Sequence, residues 1–394
     1  MVIPSFVFTR APDVYFCVGE FKNLGGHIRR FGEKVLIVTG SKSLSSSGRL
    51  DQIKKALKTV QVSASFVQTG GEPSPELVDD IVGTFRNSSI DVVCAIGGGS
   101  VIDAGKAVSA MLYKDESVLE YLEGVGSGKI HDGRKVPFIA VPTTSGTGSE
   151  ATKNAVLSRI GPDGFKKSLR HDNFVPDIAV IDPELMIVCP PDITAASGLD
   201  AFTQLLESYV STKSTPLTDA LALSGLYSAA ESLVPACTDM HKDVNVRAKM
   251  AYAALLSGVT LANVGLGVVH GIASEIGRLH DIPHGVICGT LVGAATNMTI
   301  KKLSIQKSHG ESALRKYARV GTIFSKKDNL NTMQLCDLLE EKLEEWIETL
   351  HLPRLGEYGM KTSDIETVLD SIGNKNNPVP LDKNEIMTLI TSRF

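Results

Sequence analysis

A change of pattern near residue 188 constrains the fold of this 394-residue chain more than any other feature. Before it, short apolar segments alternate with stretches of helical periodicity. After it, long amphipathic or wholly apolar helices follow one another without a convincing strand. The first pattern predicts βαβ units with a mostly parallel sheet, and the second predicts a helical bundle. We therefore predict an α/β domain over residues 1–188 and an all-α domain over residues 189–394.

The α/β half divides into strands and helices that define where a ligand would bind. The predicted strands cover residues 34–40, 64–69, 91–98, 136–144 and 177–182, and the helices between them cover 50–60, 75–88 and 101–113. Right-handed crossovers bring the carboxyl ends of parallel strands to one edge of the sheet. Ligands of open α/β sheets bind at that edge.

Two segments rich in Gly, Ser and Thr follow strands of this sheet, namely IGGGSVIDAGK (96–106) and VPTTSGTGSEATKN (141–154). Glycine lets the backbone approach a ligand closely, and the free N–H groups at a helix N-terminus attract a pyrophosphate. Neither segment is a GxGxxG or a P-loop motif, and a structural tight turn is the alternative for the first. Two such loops on adjacent strands indicate a Rossmann-like, nucleotide-binding half. The predicted nucleotide-binding residues here are Gly97, Gly98, Gly99, Ser100, Asp103, Thr143, Thr144, Ser145, Thr147, Ser149 and Lys166.

Three charged residues near these loops each have two interpretations. Asp103 and Lys106 lie three residues apart on one predicted helix, so a surface ion pair is the alternative to a role at the nucleotide. Lys166 is predicted to reach the nicotinamide or the substrate, and an ordinary exposed lysine is the alternative. Glu72, after the second strand, is predicted to form a further wall of the site.

Asp200, Gln204, His270 and His284 form a candidate metal site. Asp200 and Gln204 lie four residues apart in GLDAFTQLLESYVS and share one helix face. The two histidines lie in VVHGIASEIGRLHDIPHGV and close the centre from another helix and its loop. A carboxylate, an amide and two imidazoles are a plausible ligand set for a divalent transition metal. Helix capping and buried, hydrogen-bonded polar side chains are the alternatives.

Composition excludes several other classes of partner. The formal net charge of −4 gives no indication of a nucleic-acid or anionic-membrane partner. No apolar run approaches the roughly 18–20 residues of a membrane span, and the N-terminus does not have the pattern of a signal peptide. The six cysteines are scattered and form no CxxC motif, which is typical of reduced thiols. We therefore predict a cytoplasmic protein.

These motifs together resemble those of the iron-containing alcohol dehydrogenase family, which is related to glycerol dehydrogenase and dehydroquinate synthase. The resemblance covers essentially the whole chain and lies in GGGSVIDAGK, VPTTSGTGSEAT, VIDPEL, GLDAFTQLLESYVS, HGIASEIG and IPHGV. It implies a dehydroquinate synthase-like fold with the active site between the two domains. It also implies NAD(P)-linked interconversion of a small alcohol and its aldehyde or ketone, with Fe(II) or Zn(II) polarising the substrate oxygen. Family dimers pair through an N-terminal strand, for which VFTRAPDVYFCVG (7–19) is the candidate.

The resemblance assigns Asp200, His270 and His284 as metal ligands, and the chain departs from the family pattern at two neighbouring positions. Gln204 stands where many members have a histidine, so the metal is expected to be bound less tightly. Ser274 stands where many members have a histidine that relays protons. His280 is the candidate substitute, which gives Lys166, His280 and His284 as the predicted catalytic residues.

A third departure concerns the choice of nucleotide. Many NAD-preferring members carry an acidic residue after the KVLIVT strand, where a carboxylate would repel a 2′-phosphate. This chain has Gly40 and Ser41 there, followed by Lys42 and Ser43. We predict that Gly40 and Ser41 contact the nucleotide and that NADP(H) is used, with NAD as the alternative.

Three other functions remain open from the sequence. A maleylacetate-type reductase would have the same fold but would work without metal. A lyase similar to dehydroquinate synthase would oxidise and reduce NAD within one cycle. A non-catalytic nucleotide-binding or scaffolding protein would bind the nucleotide without turnover.

Overall fold

The parallel sheet of the first half agrees with the prediction. The structure is a computed structural model and describes residues 5–40, 44, 48–306 and 310–394. The strands are β1 (Asp13–Phe16), β2 (Lys34–Gly40), β3 (Ser63–Thr69), β4 (Val92–Gly97), β5 (Phe138–Pro142), β6 (Asn154–Arg159), β7 (Phe165–Arg170) and β8 (Ile178–Ile181). Six of them form a parallel sheet in the order β1-β8-β5-β4-β2-β3, and β6 pairs with β7 in a separate antiparallel hairpin.

Helices cover both faces of this sheet. Leu36 and Val38 of β2 pack into one buried cluster, whereas Val35 and Ile37 pack into another on the opposite face. Side chains of successive strand residues point to opposite faces, so an unbroken apolar strand requires cover on both. The helices of this half are α1 (Leu24–Arg29), α2 (Arg49–Thr59), α3 (Pro75–Phe85) and α4 (Gly99–Met111).

The hairpin of β6 and β7 is absent from the sequence prediction. Its second strand, FKKSLR, is half-buried and largely polar, and so lacks the apolar run that identified the other strands. The hairpin lies against α4 and against a helix of the second half, Val268–Leu279, and brings Lys166 next to that helix. Residues 7–12 of the predicted N-terminal strand are not in a strand, and β1 covers only Asp13–Phe16.

The second half is a helical bundle, and within the described residues no strand follows Ile181. Trp346 is buried at its centre, with ring-edge contacts to Phe202 and Phe324 at centroid distances of 5.0 and 5.4 Å. The helices are α5 (Pro191–Val210), α6 (Pro216–Cys237), α7 (Val244–Val264), α8 (Val268–Leu279), α9 (His284–Ile305), α10 (Glu311–Gly321), α11 (Thr332–Thr349), α12 (Thr362–Leu369) and α13 (Lys383–Thr391).

Helix α6 has an apolar composition that packing explains. By length and composition, α6 is the one described helix that could cross a membrane. Helices α7 and α8 would form a second span only if they were taken together, although the chain bends by 97° between them. Leu226, Ala229 and Leu233 of α6 are fully buried in the bundle core. Core helices of a bundle have the same composition as such candidate spans.

Candidate functional site

A cavity of about 190 Å³ lies where the carboxyl edge of the sheet faces the helical half. Both halves of the chain and the β6–β7 hairpin contribute to its walls. The cavity therefore joins the predicted nucleotide loops to the predicted metal ligands. Its lining includes Glu72, Gly99, Ser100, Asp103, Thr147, Ser149, Lys166, Arg170, Gln204, His270, Ser274, His284 and Lys375.

The loop after β4 has the geometry of an anion site. Gly98 precedes α4 without a capping side chain, so the first N–H groups of the helix have no side-chain acceptor there. A Cβ atom on Gly99 would lie 2.5 Å from the side chain of Thr147, which leaves room for glycine alone. Free N–H groups and a bare backbone at a helix start suit a phosphate.

The loop after β5 lies between the two halves of the molecule. The backbone N–H of Thr143 donates to the carbonyl of Gly97 over 2.9 Å, which holds the two loops side by side. Gly148 has φ +62°, and a side chain there would collide with the backbone of Gly258 on α7. The hydroxyl of Ser145 is buried and contacts the Met186 sulfur at 2.9 Å, so it is turned away from the cavity.

A second cavity of about 190 Å³ lies across the same loops. Its lining includes Gly98, Thr143, Thr144 and Arg49. Of the remaining predicted nucleotide contacts, Gly40 and Gly97 line neither cavity, and Ser41 lies outside the described residues.

Asp103 and Lys106 are buried, so the interpretation as a surface ion pair is wrong. The ammonium of Lys106 donates to the carbonyls of Ser149, Thr152 and Asn154 over 2.8–3.0 Å, and burial lowers its pKa to about 8. Asp103 accepts from the Val156 N–H, and burial raises its pKa although Lys106 opposes this. Lys106 thus fixes the hairpin to α4. The second carboxylate oxygen of Asp103, Oδ1, is buried and has no hydrogen-bond partner.

The donor atoms of four residues converge beside the first cavity. Asp200 lies on α5, His270 on α8, and His284 and Cys288 lie one turn apart on α9. One donor atom from each lies within 4.8 Å of all the others. Asp200 Oδ1 lies 3.3 Å from His270 Nε2, and each of these two buried atoms has no hydrogen-bond partner. Buried polar atoms left unpaired are costly, and a cation between them would satisfy both.

Glu207 orients His270. The Nδ1 atom of His270 lies 2.7 Å from Glu207 Oε2, and the same carboxylate accepts the N–H groups of Gly267 and Val269. Nδ1 therefore carries the proton, and Nε2 is directed at the cluster. Burial opposes protonation of His270, but the Cys288 sulfur and the carboxylates outweigh it and raise its pKa. A carboxylate behind a histidine is the usual outer support of a metal ligand.

His284 provides a neutral imidazole. Its Nε2 atom lies 4.0 Å from Asp200 Oδ1, and 23% of its side chain is exposed, toward the cavity. Burial and the positive charge of the Lys166 ammonium lower the pKa of His284 to about 3. Burial raises the pKa of the neighbouring Cys288 thiol to about 12. The neutral form of histidine is the one that binds metals.

Gln204 is hydrogen-bonded at both ends of its amide. Its Nε2 donates to Asp200 Oδ2 over 3.0 Å, and its Oε1 accepts from the hydroxyl of Ser257 over 3.0 Å. Because a carboxylate can only accept, the NH₂ end must face Asp200. Ser257 also reaches the carbonyl of Gly146 in the loop after β5, at 3.3 Å. The ligand role of Gln204 stays a prediction, and these bonds favour a positioning role.

Lys166 is not an ordinary exposed lysine, and His280 lies away from the cavity. The side chain of Lys166 is 8% exposed and pairs with Glu72 at 3.0 Å inside the first cavity. His280 follows α8 and pairs with Asp364 at 3.0 Å, and it is absent from the cavity lining. Ser274 does line the cavity, where its hydroxyl donates to the His270 carbonyl.

Sequence reasoning missed three residues of the site: Cys288, Glu207 and Lys375. Cys288 lies four residues after His284, the same spacing that revealed Asp200 and Gln204, so the signal was present. Glu207 lies three residues after Gln204 on α5. Lys375 reaches the site from a loop near the C-terminus and donates to the His270 carbonyl over 2.9 Å, which no local pattern indicates.

Comparisons with known proteins identify the family to which this chain is similar. The family model "Iron-containing alcohol dehydrogenase" matches residues 11–183, and "Fe-containing alcohol dehydrogenase family, C-terminal" matches residues 194–394. Alcohol dehydrogenase 4 of Saccharomyces cerevisiae is 30% identical over 390 residues, covering 97% of both chains. The NADPH-dependent butanol dehydrogenase of Clostridium saccharobutylicum is 30% identical over 394 residues, covering 96% of this chain and 95% of the relative. The crystal structure of a 1,3-propanediol oxidoreductase superposes with a TM-score of 0.88 at 26% identity, over 99% of this chain and 100% of the other.

Proposed function

This chain belongs to the iron-containing alcohol dehydrogenase family, and from that premise we propose how its cleft works. The protein is an NAD(P)-dependent oxidoreductase that interconverts an alcohol with an aldehyde or ketone. We propose that NADP(H) binds across the two glycine-rich loops. We propose further that Asp200, His270 and His284 hold a divalent metal, Fe(II) or Zn(II), against which a small substrate binds.

The convergence of donor atoms is the observation that carries this proposal. Asp200, His270 and His284 come from three helices, and their donor atoms meet beside the cavity that the nucleotide loops also line. Oxygen and nitrogen donors of this kind suit Fe(II) and Zn(II). The unpaired Asp200 Oδ1 and His270 Nε2 atoms support a bound cation there.

The second cavity supports NADP(H) as the nucleotide. Arg49 lies on its wall, next to the loops that would hold the pyrophosphate, and its guanidinium donates to the Glu184 carbonyl over 2.7 Å. A guanidinium is the preferred partner of a phosphate, so Arg49 is suited to bind a 2′-phosphate. Gly40 ends β2 without an acidic side chain to repel it.

The chain's own residues divide the work of the reaction. A bound divalent metal supplies Lewis-acid polarisation of the substrate oxygen, and the nicotinamide supplies or accepts the hydride. Asp200, His270 and His284 hold the metal, while Glu207 fixes the ring of His270. The N-terminus of α4 binds the pyrophosphate through its free N–H groups. Lys166, held by Glu72, places its ammonium on the wall of the first cavity, where it can stabilise negative charge on a bound substrate.

The test is oxidation of NADPH against small aldehydes and ketones, with chelator-treated protein and with Fe(II) or Zn(II) added back. We expect consumption that depends on metal. Turnover that ignores metal would favour the maleylacetate-type alternative. Turnover of a substrate without net change in NADH would favour the lyase. Nucleotide binding without turnover of any carbonyl would favour the non-catalytic alternative.

Variants locate the site. Asp200→Ala and His284→Ala should each abolish the metal-dependent activity, and wild-type turnover in both would overturn the metal mechanism.

Arg49→Ala should raise the KM for NADPH far more than the KM for NADH. Arg315→Ala, which removes an exposed arginine of α10, is the matched control and should change neither KM.

We also propose a homodimer and a cytoplasmic address. The dimer is supported by β1, an edge strand whose Val14 side chain is exposed, and by the exposed Val7 and Val18 beside it. The address is supported by six free cysteines, which form no disulfide in the described residues.

A further inference from the structure

Cys288 is the fourth member of the donor cluster. It follows His284 by one turn of α9, its side chain is fully buried, and its Sγ lies 3.6 Å from His284 Nε2. The sulfur belongs to the same group of donor atoms as Asp200 and His270, all within 4.8 Å of one another. Two of those atoms, Asp200 Oδ1 and His270 Nε2, are buried, unpaired and directed at the centre.

Gln204 leaves a ligand position open. Its amide oxygen is turned toward the Ser257 hydroxyl, 3.0 Å away, and its NH₂ group faces Asp200. An NH₂ group has no lone pair to offer a metal, and turning the amide over would place two oxygens against each other at Asp200. Among the described histidines, cysteines and carboxylates, Cys288 provides the remaining donor of this cluster.

We propose that Cys288 binds the metal as a thiolate, so that the ligand set is Asp200, His270, His284 and Cys288. This inference rests on the proposed metal-dependent function. Four donors bound tetrahedrally to one zinc ion at about 2.0–2.3 Å lie about 3.3–3.7 Å apart, so the most widely spaced donors of the cluster would approach each other by about 1 Å when the metal binds. Gln204 then acts as a positioning residue for Asp200.

The chemistry of this ligand set favours Zn(II). A thiolate is a soft ligand, and nitrogen, sulfur and oxygen donors together are typical of zinc. The charges of Asp200 and Cys288 together offset those of a divalent ion. A fifth position, occupied by substrate, is compatible with zinc in catalytic sites.

The test uses Co(II) as a spectroscopic substitute in chelator-treated protein. Wild type should bind Co(II) and show a thiolate-to-cobalt charge-transfer absorption in the near ultraviolet. Cys288→Ser should still bind Co(II), with a dissociation constant about 10–100-fold higher, and should lack that absorption. Cys336→Ser is the matched control, because Cys336 is equally buried but lies in the bundle core, with its Sγ 3.7 Å from the Leu314 carbonyl. It should keep both properties.

The outcomes separate this inference from the function on which it rests. Wild type that binds Co(II) without the absorption, or Cys288→Ser that retains it, would overturn the thiolate ligand and leave the metal mechanism standing. Wild type that binds no divalent metal would overturn both. If Cys288→Ser does not fold, the wild-type spectrum still decides, since no other described cysteine belongs to the cluster.

A rescue variant tests the exchange of ligand positions. Cys288→Ser combined with Gln204→His offers an imidazole at the position that Gln204 leaves open. We expect Co(II) affinity to recover toward that of wild type while the thiolate absorption stays absent. Failure to recover affinity in a folded double variant would contradict the idea that positions 204 and 288 serve the same coordination site.

Discussion

Single residues of the proposed metal site depend on hydrogen-bonded partners, some of which lie far away in sequence. His270 is held by Glu207, Asp200 by Gln204, and Gln204 in turn by Ser257. The sequence predicted that Asp200 and Gln204 share one helix face, because helical periodicity fixes which residues lie on the same side. The sequence did not predict the convergence of α5, α8 and α9, since packing between helices decides it. The resemblance to a family therefore contributed more to the predicted ligand set than spacing did.

Glu207→Gln should weaken metal binding without disrupting the fold. The variant keeps the size of the side chain but removes the charge that fixes the Nδ1 proton of His270, so we expect a metal dissociation constant about 10–100-fold higher. Competition with a chromophoric chelator measures it. Glu340→Gln, a half-buried glutamate bonded to Asn297 elsewhere in the bundle, is the control and should leave the constant unchanged. An unchanged constant in Glu207→Gln would contradict the orienting role.

Glu150 gives stability a dependence on pH. It is 3% exposed, and burial raises its pKa from 4.5 to about 7. The folded protein therefore binds more protons than the unfolded chain between pH 4.5 and 7, so this group's contribution to stability falls as pH rises through that window. A pKa shift of this size lowers the free energy of unfolding at pH 8 by about 3 kcal/mol, relative to a glutamate whose pKa does not change on folding.

Glu150→Gln should remove that loss. We expect a higher thermal midpoint than wild type at pH 8 and a smaller difference at pH 5, measured by circular dichroism at both values. The exposed Glu311→Gln on α10 should follow wild type at both. A Glu150→Gln midpoint below that of wild type at pH 8 would show that the carboxylate is stabilising in its ionised form.

At the scale of elements, the apolar strands and most helix positions were predictable, and the polar hairpin was not. The predicted strand 91–98 contains β4 (Val92–Gly97), and the predicted helix 75–88 contains α3 (Pro75–Phe85). Continuous burial leaves an apolar run that marks such elements. The β6–β7 hairpin depends instead on hydrogen bonds from Lys106 to the backbone before and at its first residue. A buried lysine looks the same in sequence as an exposed one.

Lys106→Met should release the hairpin from α4. The variant keeps the length of the side chain but leaves the buried carbonyls of Ser149, Thr152 and Asn154 without their donor, which we expect to cost about 2–4 kcal/mol. Thermal unfolding measures the loss, and limited proteolysis should cut first within residues 154–170. Lys114→Met removes a lysine paired with the exposed Asp132 and should change the midpoint little. Equal midpoints in the two variants would contradict the anchoring role.

At the scale of the whole molecule, the site is divided between the two halves of the chain. The glycine-rich loops precede residue 188, and every donor of the metal cluster follows it. Contacts of Ser257 with Gly146 and of Gly258 with Gly148 fix the loop after β5 to α7. In the proposed function, a nucleotide on the loops and a substrate at the metal would therefore meet only when both halves are folded together. The domain boundary at residue 188 stays a prediction.

The proposed dimer requires that β1 has a free hydrogen-bonding edge. The N–H groups of Asp13 and Cys17 donate to residues 177 and 181, beside and within β8, so by the alternation of a parallel ladder the N–H of Val14 points to the open edge. An open edge of this kind pairs with another strand unless something blocks it. Proline is tolerated on an edge strand where the N–H faces outward.

Val14→Pro should therefore leave the fold intact and convert the dimer to a monomer in light scattering after gel filtration. Val14→Thr keeps the N–H group and the branched shape, so it should remain dimeric. A wild-type monomer, or a folded Val14→Pro dimer, would place the interface elsewhere or remove it.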